Sequence, residues 1–306
     1  MWVTSSTSNV KTPTAIALGN FDGIHLGHRK VLKPITELGG DYIPTLVSFT
    51  PHPQEFFSGE TRQLLTPLDE KVKILESLKI RQLVRLPFDG AIANLSPQAF
   101  IEDILVRKLN VKYISVGKDF RFGKGREGNA ETLEKVAQTW GISAHITKLQ
   151  SRIGEDSGLR ISSSRIRQCL AAGDVAEARE MLSYPYSLEG IVVKGQQLGR
   201  TIGFPTANLQ VPSDKLLPRF GVYGVRVILA TQEVINGVIN IGSRPTVKGQ
   251  LPTVEVHLLD WSGDLYGTFL RVHLEKFLRP EQKFPSLNAL QKQIMEDCIV
   301  ARRILE

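Results

Sequence analysis

The stretch TAIALGNFDGIHLGHRKVL, residues 14–32, has the pattern of a buried strand, a glycine-rich turn and the start of a helix. In an open α/β sheet, ligands bind at the carboxyl ends of the strands, where this turn lies. Glycine lets the backbone come close to a ligand, and a helix N-terminus offers unpaired N–H groups to an anion. His25 and His28 are three residues apart, so they share the helix face beside this anion site. Two imidazoles there can donate hydrogen bonds to the oxygens of a phosphorus centre under nucleophilic attack.

The alternation of strand and helix continues to about residue 150. Strands are predicted at 14–19, 43–49, 82–86, 113–117 and 143–149, and helices from about 27 and at 68–78, 97–109 and 131–140. Continuous apolar strands joined by helices require a parallel sheet that is covered on both faces. The N-terminal half is therefore predicted to be a doubly wound α/β domain, with a short loose leader before it.

The period of the apolar pattern changes to two after Tyr186, which places the domain boundary between 1–186 and 187–306. The predicted strands are at 188–195, 220–230, 233–240, 253–261 and 268–278. Short connections between such strands indicate an antiparallel barrel or sandwich. A closing helix at 286–305 is predicted to pack on it through a stripe made of Leu287, Leu290, Ile294, Ala301 and Leu305.

Composition excludes several classes of protein. The chain has 306 residues, 42% hydrophobic and 23% charged, with no run of about 18 apolar residues, so we expect a cytoplasmic protein of about two domains. A net charge of +7 favours partners that carry phosphate, but no basic arm supports binding of nucleic acid. The two cysteines, Cys169 and Cys298, are expected to be buried thiols. The pattern leaves open whether the chain is a monomer or a homo-oligomer.

The string from Gly19 to His28, with His-x-Gly-His at its end, resembles the nucleotidylyltransferase superfamily. Its Asn-Phe-Asp-Gly form is similar to one branch, the bacterial bifunctional riboflavin kinase/FAD synthetases. The resemblance implies that His25 and His28 are catalytic. The residues that it implies for binding the nucleotide in this turn are Gly19, Asn20, Phe21, Asp22 and Gly23.

Three further motifs extend the resemblance through the first half. FTPHP at 49–53 and GKDFRFGK at 117–124 resemble the family's flavin loops, and ISSSRIR at 161–167 resembles its ISSTxxR motif, with Ser164 in place of threonine. The implied flavin-binding residues are His52, Pro53, Asp119, Phe120, Arg121 and Phe122. Ser163, Ser164 and Arg167 are implied for the nucleotide, and Arg167 for catalysis, because an arginine can clamp the departing pyrophosphate. Asn129 stands where the family has aspartate and can still cap a helix.

The second half carries a kinase motif. The segment 195–209 is similar to the riboflavin kinase pattern LGRxxGFPTANL. The nucleotide-binding residues it implies are Gly195, Gly199, Arg200, Gly203, Phe204 and Pro205. Thr206 and Asn208 offer neutral oxygens two residues apart, which suits a Mg²⁺ ion that also holds substrate phosphates.

Strand residues 253–260 carry the candidate base. Val254, Val256 and Leu258 share one face, and Glu255 and His257 lie on the other. The stretch resembles the family's VETHxLDF motif, with Val256 for threonine and Trp261 for phenylalanine, which implies that Glu255 takes the proton from the flavin's ribityl hydroxyl. The segment LRPEQKF at 278–284 also matches the family and implies flavin contacts by Arg279 and Glu281. The resemblance further implies a six-stranded barrel.

The hypothesis is a two-step enzyme that uses riboflavin, ATP and Mg²⁺ to make FMN, and then FMN and a second ATP to make FAD. One alternative is an enzyme in which one domain has decayed, although both halves carry complete motifs. Another is a regulator that binds flavin or nucleic acid without turnover. The net charge of +7 is the best support for this alternative. Incubation with riboflavin and MgATP, followed by chromatography for FMN and FAD, separates the three.

Overall fold

The computed structural model describes residues 1–148, 160–195, 198–246 and 249–306. Its contacts divide the chain into two compact units, Met1–Ser163 and Ser164–Glu306. The first contains a parallel sheet and the second a closed antiparallel barrel. Within the described ranges, no helix has the length and apolar character needed to cross a lipid bilayer.

The first unit is built on a parallel sheet. Its strands are β1 (Trp2–Thr4), β2 (Thr14–Leu18), β3 (Ile43–Thr50), β4 (Gln82–Pro87), β5 (Val111–Gly117), β6 (Arg121–Phe122), β7 (Gly128–Asn129) and β8 (Ser143–Thr147). Six of them pair in the order β1-β4-β3-β2-β5-β8, while β6 and β7 form a small antiparallel pair. Its helices are α1 (Leu26–Glu37), α2 (Pro53–Ser58), α3 (Leu68–Ser77), α4 (Gly90–Ala93), α5 (Pro97–Ala99) and α6 (Ala130–Thr139), with 3₁₀ turns at Thr7–Asn9 and Lys124–Arg126.

Both faces of this sheet are covered, as predicted from its continuous apolar strands. Alternate residues of β2 point to opposite faces, and all five are buried. Ala15 and Ala17 pack in a core with α1 and α3, while Ile16 and Leu18 pack in a second core with α6. The doubly wound α/β prediction is therefore confirmed.

The order of the strands brings three motifs to one edge of the sheet. β2 lies between β3 and β5, and all three strands run in the same direction. Their carboxyl ends are followed by the glycine-rich turn at 19–24, the PHP segment at 51–53 and the loop at 118–124. Segments far apart in the sequence thus converge where α/β sheets bind ligands.

Two sequence expectations for the first unit are wrong. Trp2–Thr4 is no loose leader, because it forms an edge strand parallel to β4. The predicted helix at 97–109 is α-helical only over α5 and continues as a π-helix over Phe100–Lys108. The last residues of the strand expected at 143–149 include Leu149, which lies outside the described residues.

The second unit is a barrel closed by six antiparallel strands, which confirms the implied fold. The strands are β9 (Ser187–Val193), β10 (Ala207–Gln210), β11 (Gly221–Ile228), β12 (Val234–Thr246), β13 (Gly249–Leu258) and β14 (Phe269–Arg279), in the order β10-β13-β12-β11-β14-β9. Pairing of β10 with β9 completes the ring. The helices are α7 (Ser163–Ala172), which starts at the last residue of the first unit, α8 (Val175–Leu182), α9 (Leu198–Thr201) and α10 (Leu287–Leu305).

The division between the units falls at Ser163/Ser164, before the boundary expected at residue 186. α7 and α8 belong with the barrel because the main-chain N–H of Arg219 donates to the Leu170 carbonyl at 2.8 Å, and Arg179 pairs with Glu275 at 2.6 Å. The division of the two activities at residue 186 stays a prediction.

The closing helix α10 packs on the barrel as expected, except at its first residue. Ser286 caps it, and Ala301 and Leu305 are buried against Val222 of β11. Leu287 was expected on the buried stripe and is 54% exposed, so that part of the prediction is wrong.

Candidate active sites

The turn after β2 holds several residues in left-handed backbone. Gly19 and Gly23 have φ of 148° and 88°, and Phe21 and Ile24 have φ of 48° and 34°. For residues other than glycine, such φ values cost roughly 1–3 kcal/mol each and persist only where the surroundings impose them. The turn must therefore be held from outside.

Residues 65–71 provide that support. Oδ1 of the buried Asp22 accepts hydrogen bonds from the N–H groups of Leu65 at 2.9 Å and Thr66 at 3.2 Å. The Gly23 N–H donates to Thr66 Oγ1 at 3.0 Å, and Lys71 Nζ donates to the Asn20 carbonyl at 3.0 Å. Asp22 thus has a structural role in addition to the nucleotide contact expected for it. Sequence reasoning missed Thr66 and Lys71, because partners more than 40 residues away leave no local pattern.

The two histidines stack at the start of α1. His25 is the N-cap residue, and its Nδ1 accepts a hydrogen bond from the His28 N–H at 3.3 Å. Since Nδ1 accepts, the neutral ring carries its proton on Nε2. The ring centroids of His25 and His28 are 3.7 Å apart at an interplanar angle of 15°, and the Phe21 ring lies 4.7 Å from that of His28.

Both imidazoles are neutral at pH 7. Burial, with the nearby charge of Arg160, lowers the pKa of His25 to about 4. Burial also lowers the pKa of His28 well below its usual value, and His25 and Lys71 act in the same direction. His28 Nδ1 is buried without a hydrogen-bond partner in the described part of the chain. His28 is also one of the residues that line a cavity in this unit.

One cavity of about 1080 Å³ joins the three motifs of the first unit. Its volume lies just above the usual range for small-molecule sites, roughly 300–1,000 Å³. The expected site residues that line it are Gly19, Asn20, Phe21, His28, His52, Pro53, Asp119, Phe120, Arg121 and Phe122. The structure thus brings most of the expected nucleotide and flavin residues together, while Asp22, Gly23 and His25 are not among the residues that line the cavity.

Aromatic and basic side chains line the part of this cavity that the loop at 118–124 forms. The rings of Phe120 and Phe122 are stacked with centroids 5.5 Å apart, which gives a flat apolar wall. Asp119 is paired with Arg160 rather than left as an isolated negative charge. Sequence reasoning missed Phe57 and Phe88, which line the same cavity but lie outside the family motifs.

His52 ties the PHP segment to the glycine-rich turn. Its Nδ1 accepts the Gln54 N–H at 3.0 Å as the cap of α2, and its Nε2 lies 2.8 Å from the side-chain amide of Asn20. Ser163 donates to the Asp22 carbonyl at 2.7 Å, so this serine also supports the turn. Ser164 and Arg167 lie on the part of α7 that belongs to the second unit.

The glycine-rich loop of the barrel is compact and closely packed. The Phe204 N–H donates to the Gly199 carbonyl at 2.8 Å, and Gly203 has φ of 84°. Gly195 lies directly on Asn208, where a Cβ atom would stand 2.2 Å from the amide nitrogen. A larger residue at this position would displace the Asn208 side chain.

Strand pairing places the candidate base beside the candidate metal ligands. Asn208 on β10 pairs in register with Glu255 on β13, so both side chains lie on the same face. Val254, Val256 and Leu258 are buried on the other face, as predicted. The described residues hold no cluster of three His, Cys, Asp or Glu side chains. Thr206 and Asn208 offer neutral oxygens with one carboxylate nearby, and this set of donors fits a Mg²⁺ ion that takes its remaining ligands from phosphates and water.

A second hollow, of about 280 Å³, adjoins Thr206. Arg200, Pro205 and Thr206 line one part of it, and Trp261 and Tyr266 supply aromatic surface. Aromatic walls beside the glycine-rich loop suit a nucleoside.

Arg279 is held by α10. Its Nε and Nη2 donate to the buried carboxylate of Asp297 at 2.9 and 2.8 Å. This ion pair fixes the start of the segment that carries Glu281, which lies against Gly242. The structure therefore gives Arg279 a tie to Asp297 that sequence reasoning did not identify.

The first unit has a histidine pair beside a large cavity, and the second is a barrel with a glycine-rich loop and a carboxylate. These features are typical of an enzyme that uses nucleotides and has a site in each unit. Family models agree: the FAD synthetase model matches residues 7–165 and the riboflavin kinase model residues 182–305. The chain belongs to the bifunctional riboflavin kinase/FMN adenylyltransferase family.

Curated members of this family are similar along most of their length. The member from Escherichia coli (strain K12) is 43% identical over 94% of this chain and 91% of its own. The one from Bacillus subtilis (strain 168) is 36% identical over 93% and 90%. A crystal structure described as a macrolide-efflux protein from Streptococcus pneumoniae is 28% identical, covers 98% of each chain and has a TM-score of 0.87.

The low pKa of His25 predicts that acid destabilises the first unit. The unfolded chain protonates His25 near pH 6.5 and the folded chain only near pH 4, so the free energy of unfolding falls as pH drops through this window. His25→Asn keeps a capping acceptor but does not titrate. Between pH 7 and pH 4.5, the variant should lose about 2 kcal/mol less stability than the parent. Urea unfolding followed by tryptophan fluorescence measures this, and equal losses in both proteins contradict the assignment.

Proposed function

We propose that the first unit transfers AMP from ATP to FMN and that the barrel unit phosphorylates riboflavin with MgATP, so that one chain makes FMN and then FAD. The order of the two family models along the chain supports this division. The observation that carries the proposal is the cavity of the first unit, which His28 lines together with His52, Phe120 and Arg121.

The adenylyl transfer needs hydrogen-bond donors rather than a base. A phosphate oxygen of FMN attacks the α-phosphorus of ATP, and the bond to pyrophosphate breaks. This oxygen is already anionic, so no proton has to be removed. Negative charge on the α-phosphoryl oxygens has to be stabilised. A neutral imidazole still has one ring N–H that can donate to it, and this is the role that we propose for His25 and His28.

The kinase step does need a base. The terminal ribityl hydroxyl of riboflavin attacks the γ-phosphorus of ATP, ADP leaves and the hydroxyl proton goes to Glu255. Thr206 and Asn208 would hold Mg²⁺, and Asn208 is the strand partner of Glu255. When bound, Mg²⁺ neutralises charge on the β and γ phosphates. The adenosine part of ATP is assigned to the hollow between Trp261 and Tyr266.

The remaining roles rest on the motifs. Ser164 and Arg167 are proposed for the adenylyl transfer, and Arg279 and Glu281 for the flavin of the kinase site. The nucleotide of the kinase is assigned to the loop residues Gly195, Gly199, Arg200, Gly203, Phe204 and Pro205. We place both reactions in the cytoplasm, where MgATP and flavins are available together.

Replacing His28 should separate the two activities. His28→Ala removes a donor to the phosphoryl charge, so FAD formation from FMN should fall by about 10²–10³ while riboflavin phosphorylation is kept. Chromatography of products from FMN and from riboflavin gives both rates. His145→Ala is the matched control, because His145 is an exposed histidine of the same unit. A His28 variant that makes FAD at the parent rate would refute the role.

Replacing Glu255 should give the opposite result. Glu255→Gln keeps the shape of the side chain but cannot take the proton, so riboflavin phosphorylation should fall by roughly 10²–10⁴. FMN added to the same variant should still become FAD. Glu233→Gln, at an exposed position of the barrel unit, controls for a change of charge alone. Equal loss of both activities would count against Glu255 as the base.

A further inference from the structure

Three contacts anchor the segment that leads from the glycine-rich loop to the candidate metal ligands. The ring of Phe204 packs against the cluster of buried residues under α10, and Gln291 Nε2 donates to the Ile202 carbonyl at 3.2 Å. The third contact joins His257 Nδ1 to the Pro205 carbonyl at 2.8 Å. Of these three contacts, the one made by His257 is nearest in the chain to Thr206, because its partner Pro205 directly precedes that residue.

The chemistry of the partners fixes the direction of this hydrogen bond. A carbonyl oxygen can only accept, so His257 Nδ1 donates, and it does so in both the neutral and the charged ring. The ring of Phe204 meets that of His257 edge-on, with centroids 5.5 Å apart. The imidazole is thus held from two sides.

The strand that carries His257 also carries the candidate base. Glu255 and His257 are two residues apart on β13 and share the face opposite the buried valines. Glu255 pairs with Asn208, while His257 reaches the loop before Asn208. Asp260, which Arg302 of α10 holds at 2.9 Å, is a charged group near His257. β13 therefore carries both the candidate base and the histidine that contacts the loop before Asn208.

We propose that His257 is a positioning residue of the kinase site: its Nδ1–H holds the Pro205 carbonyl and thereby sets Thr206 and Asn208 for the phosphates of MgATP. The inference rests on the proposed kinase function. In the proposed arrangement, His257 itself contacts neither phosphate nor flavin. Its loss should weaken nucleotide binding while leaving riboflavin binding unchanged.

Asparagine and leucine at residue 257 make a matched pair. The two side chains are uncharged and have the same branched shape, but only asparagine can donate from the δ position to the Pro205 carbonyl. Calorimetric titration of each full-length variant with ADP and Mg²⁺ measures binding without turnover. His257→Leu should weaken MgADP binding by about three- to ten-fold, the range expected for one lost hydrogen bond. His257→Asn should stay within about two-fold of the parent.

Kinetics provide the second measurement. His257→Leu should raise the KM for MgATP by a similar factor and leave the KM for riboflavin unchanged. The unchanged KM for riboflavin, with thermal unfolding, reports on the folded state of the barrel unit. MgADP binding equal to the parent in the leucine variant would overturn the positioning role, and an asparagine variant as weak as leucine would overturn the donor. A parent chain that does not phosphorylate riboflavin would instead refute the proposed function.

Discussion

The buried carboxylate of Asp22 holds the first active site in shape. Two main-chain N–H groups from residues 65 and 66 satisfy it, and this fixes a turn in which Phe21 and Ile24 have left-handed backbone. The turn ends at His25, which caps α1 and stacks on His28. Without the partners of Asp22, the strained backbone would relax and the two rings would lose their common orientation. Asp22 therefore supports the site by holding the backbone of the turn.

The two sites differ because their nucleophiles differ. A phosphate oxygen arrives without a proton, and the first site has neutral imidazoles whose low pKa follows from burial. A hydroxyl arrives with a proton, and the barrel has the half-buried carboxylate of Glu255 on a strand face next to Asn208. Each unit thus carries the type of side chain that its reaction requires, which supports assigning one reaction to each.

Local patterns predicted most of the elements, because the apolar run at 14–18 or the alternation at 253–258 reports directly which residues are buried. β10 has four residues and β1 has three, too few for a periodic signal. The contacts of Asp22 with Thr66 and of His257 with Pro205 join residues 44 and 52 apart in sequence, so no local pattern could indicate them. A boundary at residue 186 would leave residues 164–182 with the α/β half, whereas long-range contacts such as Arg179 with Glu275 group them with the barrel.

If one chain carries two separate active sites, the kinase site is complete in the barrel unit. The direct test is a purified fragment of residues 164–306, which keeps α7 and α8 on the barrel. Circular dichroism establishes that it is folded, and chromatography follows its products from riboflavin, ATP and Mg²⁺. The fragment should make FMN at a rate close to that of the full chain and no FAD. A folded fragment that makes no FMN would contradict it, because the kinase site would then need residues from the first unit.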